Sequence, residues 1–228
     1  MLIIKKDPAP ILDKDIAKIF RNHNVIEYRS PEEHLSVSDY YSVISRACTY
    51  HESKGVPFDD ITVTFIKTRY SWELFDFLAM QRNYRIKETS PGIYLIEGEV
   101  FPVQIIVIDK LKGPDNVWLR SLNNNLPASS LEELLEAKKE FSDGDNMYTY
   151  MSTILNANAD AVKDIKPEHK SDLVNVLNEM GYIDEWRQHG INDTLSVIKG
   201  LKNNIPIDQL ADKYKMPAEV IDRIKAEL

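Results

Sequence analysis

Two short apolar runs constrain the fold more than anything else in this chain: Ile61-Thr62-Val63-Thr64-Phe65-Ile66 and Val103-Gln104-Ile105-Ile106-Val107-Ile108-Asp109. Each is too short for a stable helix and rich in β-branched residues, as expected of strands in the middle of a sheet with both faces covered. The stretches between them carry a different period. Val37, Tyr40, Tyr41, Ile44, Ala47 and Cys48 recur at helical spacing, which predicts a helix over 38–51 capped by Ser36 or Ser38. Trp72, Leu74, Phe75, Phe77, Leu78 and Met80 predict a second amphipathic helix over 71–82.

Other segments complete a sheet. Residues 2–5 and 25–29 read as strands, with a short helix or turn over 11–22 between them. Two further strands, 84–88 and 93–97, flank Thr89-Ser90-Pro91-Gly92, whose Pro-Gly pair signals a hairpin turn. Strands 2–5, 25–29, 61–66 and 103–109 are expected to share one mixed sheet, with the helix over 38–51 on one face. That pattern is α/β.

Beyond Asn123-Asn124-Asn125 and Pro127 the strand signals stop. Helical patterns follow over 131–141, 146–156, 160–165, 170–180 and 193–201, separated by Asp, Asn, Gly and Pro. Two short helices close the chain around Lys215-Met216-Pro217. The reading is a domain over 1–125, a helical region over 126–203, and a helix-turn-helix-like hairpin over 204–228. In that hairpin Ala211 is expected at the tight crossing. Glu219, Asp222 and Glu227 offset Arg223 and Lys225 on its second helix, so a packing role is favoured over DNA reading.

Composition narrows the function. A net charge of −8 argues against the broad cationic face of a duplex binder, although it leaves room for a local groove. No apolar run approaches the roughly 20 residues that span a bilayer, so no membrane partner is expected. The single cysteine, Cys48, cannot form an internal disulfide, which points to the cytoplasm and to a small core residue. The five histidines have no zinc-ligand spacing, and the eight glycines form no phosphate loop. The acidic run from Glu132 to Asp145 reads as a solvated helix face.

The chemistry concentrates in Val25-Ile26-Glu27-Tyr28-Arg29-Ser30-Pro31. Side chains alternate along a strand, so Glu27 and Arg29 share one face while Ile26 and Tyr28 share the other. Together with Ile19-Phe20-Arg21-Asn22-His23-Asn24 before it and Leu35-Ser36-Val37-Ser38-Asp39-Tyr40-Tyr41 after it, this segment resembles the PD-(D/E)XK nuclease superfamily. The branch it is most similar to is the Rpn-type recombination-promoting nucleases and transposases. The resemblance covers roughly the first half and implies a restriction-endonuclease-like sheet, Mg²⁺-dependent DNA phosphodiester hydrolysis, and a homodimer. It assigns Glu27 as the metal carboxylate, the Tyr28 carbonyl as a further metal ligand, and Arg29 to the place of a catalytic lysine.

Two departures qualify this. Arg29 stays protonated and can orient phosphate or water but not act as a base. The superfamily's second carboxylate should lie at or before the strand over 2–6, where Met1 begins the sequence. We therefore expect Met1 to be a misassigned or truncated start, with weak or absent activity in this form. Asp7, Asp13 and Asp15 would have to fold back to substitute. The alternative is a non-catalytic binding module derived from the same fold.

Overall fold

The computed structural model describes residues 2–5, 14–140, 145–179 and 181–228. Its strands are β1 (Leu2–Lys5), β2 (His23–Arg29), β3 (Ile61–Lys67), β4 (Arg85–Ser90), β5 (Ile93–Glu97) and β6 (Val103–Val107). They form one mixed sheet in the order β1-β2-β3-β6-β5-β4. β2, β3 and β6 run parallel at its centre, and β1 and the β4–β5 hairpin add antiparallel edges. The α/β expectation is met, and the four strands expected in one sheet are neighbours there.

Alternation along the parallel strands separates two faces of different chemistry. On one, Val25, Val63, Phe65, Ile105 and Val107 pack against Tyr40, Val43, Ile44 and Ala47 of α1 (Val37–Lys54). Leu74, Phe75 and Leu78 extend that core. Tyr40 stacks on Phe65 with ring centroids 5.0 Å apart. Burying a side chain of this size contributes about 2 kcal/mol.

The other face carries a buried polar row of Asn24, Thr62, Thr64 and Gln104. Thr62 Oγ1 donates to Asn24 Oδ1 at 2.6 Å, and Gln104 Nε2 donates to Thr64 Oγ1 at 3.0 Å. The same Gln104 nitrogen donates to the Ile16 carbonyl at 2.9 Å, fixing a 3₁₀ turn at Asp15–Ala17. These groups tolerate burial because they bond to one another and to backbone.

Local details differ from the sequence expectations. Ser36, not Ser38, caps α1 in a reciprocal capping box with Asp39, and Gly55 ends the helix at φ 64°. The helix expected over 71–82 is α-helical only in α2 (Trp72–Asp76), and Phe77–Gln81 continues as a π-helical turn. The last strand stops at Val107, because Ile108–Lys110 turns into a 3₁₀ segment and the Asp109 amide bonds the Thr68 carbonyl at 3.0 Å. β4 runs to Ser90, leaving Pro91-Gly92 as the hairpin turn. Gly92 has φ +80°, and a Cβ there would lie 2.7 Å from the Val107 carbonyl oxygen. Of the short helix or turn expected over 11–22, Asp15–Ala17 is the described helical part; Asp7 and Asp13 lie outside the described residues.

Helices α3 (Val117–Arg120), α4 (Ala128–Lys138), α5 (Asp145–Ala157), α6 (Ala159–Lys163), α7 (Lys170–Glu179), α8 (Tyr182–Lys202), α9 (Ile207–Tyr214) and α10 (Ala218–Ala226) follow. Two compact units result. One comprises Met1–Ser142 with Thr153–Lys166, the other Asp143–Ser152 with Pro167–Leu228. In the second, Leu210 of α9 packs with Val197 of α8 and Ile221 of α10. A Cβ at Gly200 would meet Leu210 at 2.6 Å, so α8 and α9 approach closely there, and Ala211 packs against the same cluster.

Candidate functional site

Among the described residues β1 pairs with β2 from His23 to Ile26, and Glu27 to Arg29 lie toward the C-terminal edge of the parallel strands. Ligands of open α/β sheets gather at that edge. Glu27 and Arg29 lie on the face that α1 covers, opposite Phe65 and Lys67 in the register of β3. Arg29 Nη2 sits 3.3 Å from Glu27 Oε1, so the two residues expected to be adjacent do touch. The Glu27 side chain is only 8% exposed, and an ion pair rather than aliphatic packing accompanies its burial.

Arg29 is held by more than Glu27. The same Nη2 donates to Asp39 Oδ1 at 3.1 Å, and Nη1 lies 3.9 Å from Glu33 Oε1. Two serine–acid turns in tandem build this cage. In Ser30-Pro31-Glu32-Glu33, the Ser30 amide and hydroxyl donate to Glu33 Oε2 at 3.0 and 3.2 Å. In Ser36-Val37-Ser38-Asp39, the Ser36 amide and hydroxyl donate to Asp39 Oδ2 at 3.0 and 2.6 Å. Each turn ties down one carboxylate oxygen and leaves the other for the guanidinium. The hydrogen bonds from Ser36 hold Asp39 below the usual carboxylate range, and those from Ser30 do the same for Glu33, with Arg29 adding to both.

Lys67 is the second cation. It is 5% exposed, and its Nζ donates to the Glu33 carbonyl at 2.7 Å. Burial first, then repulsion from Arg29 and Arg69, push its ammonium below the ordinary lysine value. Three carboxylates and two cations therefore occupy one corner, nearly charge-balanced. Arg29 Nε is buried there without a hydrogen-bond partner among the described residues.

Tyr28 faces the opposite side, where its hydroxyl donates to the Leu122 carbonyl at 3.3 Å, so only its backbone can serve the cluster. Asp15 does not join either: Ser90 Oγ donates to it at 2.8 Å and Lys18 pairs with it. Asp39, Glu33 and Lys67 are the members that sequence reasoning missed. The repeated Ser-x-x-acid spacing marks the turns that hold the first two, but no local pattern specifies that they or Lys67 meet Arg29. His23 and His51 have structural partners, the Tyr50 hydroxyl at 2.8 Å and the Val56 carbonyl at 2.6 Å.

No family model, curated protein or solved structure matches the chain. Among the described residues, no helix is long and apolar enough to cross a membrane.

Proposed function

We propose that this chain is a nuclease-like domain of the PD-(D/E)XK type, directed at DNA phosphodiesters, whose metal-dependent hydrolysis is weak because Arg29 is lodged among the carboxylates. The convergence of Glu27, Glu33 and Asp39 on one guanidinium, at the C-terminal edge of parallel strands, carries this reading. Carboxylates brought together from a strand, a loop and a helix are the hard oxygen donors that Mg²⁺ prefers. The donor set thus fits a divalent ion, with Glu27 and Asp39 as its ligands once Arg29 turns aside. Such an ion supplies Lewis-acid stabilisation of phosphoryl charge and an acidified water. Asp39 thereby offers the second carboxylate that the resemblance expected upstream of Met1. Lys67 and Arg29 contribute fixed positive charge beside it, suited to orienting a phosphate.

The second reading is a binding module without catalysis, and the observation favouring it is the same guanidinium seen from the other side. A cation already satisfies Glu27 and Asp39, so an incoming ion has to displace it as well as shed its own water.

Cleavage of plasmid and oligonucleotide DNA decides between them. The first reading expects slow cutting, seen sooner with Mn²⁺ than Mg²⁺ because Mn²⁺ binds such sites more tightly. Cutting should vanish with EDTA or Glu27→Gln and rise with Arg29→Lys. Activity that survives both EDTA and Glu27→Gln would place the chemistry elsewhere. Silence from the native chain and from Arg29→Lys alike leaves the binding module.

A further inference from the structure

The loop that follows β3 continues the C-terminal edge away from the carboxylate cage, and its composition changes from acidic to basic and aromatic. Arg69 is exposed and close enough to influence both Lys67 and Asp109. Tyr70 is clamped: Phe75 stacks on it at 4.2 Å, and Lys110 Nζ lies 4.1 Å from its ring centroid. Lys110 also donates to the Tyr94 hydroxyl at 3.0 Å, which fixes that cation over the ring. Against Tyr70, at 4.5 Å, rests Trp72, whose surface is 69% exposed. Large aromatic surface is normally withdrawn from water, so a tryptophan held outward by a clamped tyrosine needs a reason. Thr68 Oγ1 and Ser71 Oγ, in the same loop, are buried without hydrogen-bond partners among the described residues, although buried hydroxyls are usually satisfied.

We propose that this rim, formed by Arg69, Tyr70, Trp72 and Lys110, binds single-stranded nucleic acid, with Trp72 as the stacking surface for an unpaired base. This deepens the nuclease-like reading and rests on it for the substrate class. A cation beside an exposed indole is the pairing by which proteins hold unpaired strands: the ring stacks on a base and the charge takes the adjacent phosphate. Duplex DNA fits poorly. Its affinity comes mostly from a row of phosphate contacts, whereas here Arg69 is offset by Asp109, and Asp76 and Glu88 act on Tyr70. Stacking needs no net charge, so it remains available to a chain of charge −8.

The test is titration of the full chain in EDTA with a short oligothymidylate and with a duplex of equal length, followed by tryptophan emission and anisotropy. The expected result is saturable quenching and tighter binding of the single strand. Trp72→Ala should weaken binding roughly tenfold, within the range of one lost base stack, while Trp72→Phe keeps most of the affinity. Arg69→Gln should lower the salt dependence by about one phosphate contact. Because Trp72 is exposed, its truncation removes little packing, and thermal melting of each variant checks this. Equal binding by Trp72→Ala, or a preference for duplex, overturns the proposal. Binding of the single strand with no cutting by either the native chain or Arg29→Lys sinks the hydrolytic reading and leaves the rim standing. DNA cutting by a chain whose Trp72→Ala variant binds like native does the reverse.

Discussion

Arg29→Met separates the energetic role of the cage from any catalytic one. The guanidinium is about one-fifth exposed and Glu27 less than one-tenth, so the pair is largely withdrawn from water. Removing one partner of such a pair strands the other charge at a cost of about 3–5 kcal/mol. For a protein of this size, each kcal/mol lowers the melting temperature by about 2–4 °C, giving a total drop of about 6–20 °C. Asp39, one-third exposed, regains water and adds little. The diagnostic comparison is the double variant Glu27→Gln/Arg29→Met. With the buried charge gone on both sides, it should recover about 2 kcal/mol relative to Arg29→Met alone, and adding the Glu27→Gln single variant completes the cycle that gives the coupling energy from urea denaturation. Equal stability of the single and double variants would refute the argument that an ion pair holds this corner together.

Two further outcomes follow from the same corner. Lys67, pushed below its ordinary 10.5 by burial, loses its proton in the folded state before it does in the unfolded chain. The unfolded state then binds more protons between the two values, so this group's contribution to stability rises with pH through that alkaline window; the native-minus-Lys67→Met difference in urea midpoint should climb there and stay flat at neutral pH. Ser36→Ala removes the cap of α1 and should cost about 1 kcal/mol at neutral pH. Since Ser36 holds the Asp39 carboxyl below its ordinary 3.8, that stability is present above the ordinary value and disappears as pH falls through the lowered one, so the Ser36→Ala deficit should narrow in acid, as acid titration followed by circular dichroism would show.

The sheet was readable because its signals are local. β-branched runs bounded by turn residues mark β3 and β6, and Pro91-Gly92 marks the hairpin. The pairing of Glu27 with Arg29 was readable for the same reason, since strand alternation alone puts them on one face. Asp39 was not, because its approach to Arg29 depends on how α1 starts over the sheet, a tertiary fact. Lys67 depends on the parallel register of β2 and β3, which no local pattern specifies. The strands that carry Thr62, Thr64 and Gln104 were legible as buried, but the polar row they form with Asn24 was not, because its hydrogen bonds depend on the pairing of β2, β3 and β6.

The shape of the cage bears directly on why arginine, rather than lysine, stands at position 29. The two serine–acid turns are built from residues three apart in sequence, so the carboxylates of Glu33 and Asp39 are placed whether or not a cation lies between them. A planar guanidinium with separate nitrogens can address all three carboxylates at once, as Nη2 does toward Glu27 and Asp39 and Nη1 toward Glu33. An ammonium on a flexible stem is a single point charge and cannot bridge them equally. Arg29→Lys should therefore loosen the cage without dismantling it, leaving at least one carboxylate open to a divalent ion. A substitution that weakens stability while raising metal-dependent cleavage is the joint signature of a cation acting as an internal stand-in for metal. Loss of stability with no gain in cleavage would mark Arg29 as a purely structural brace.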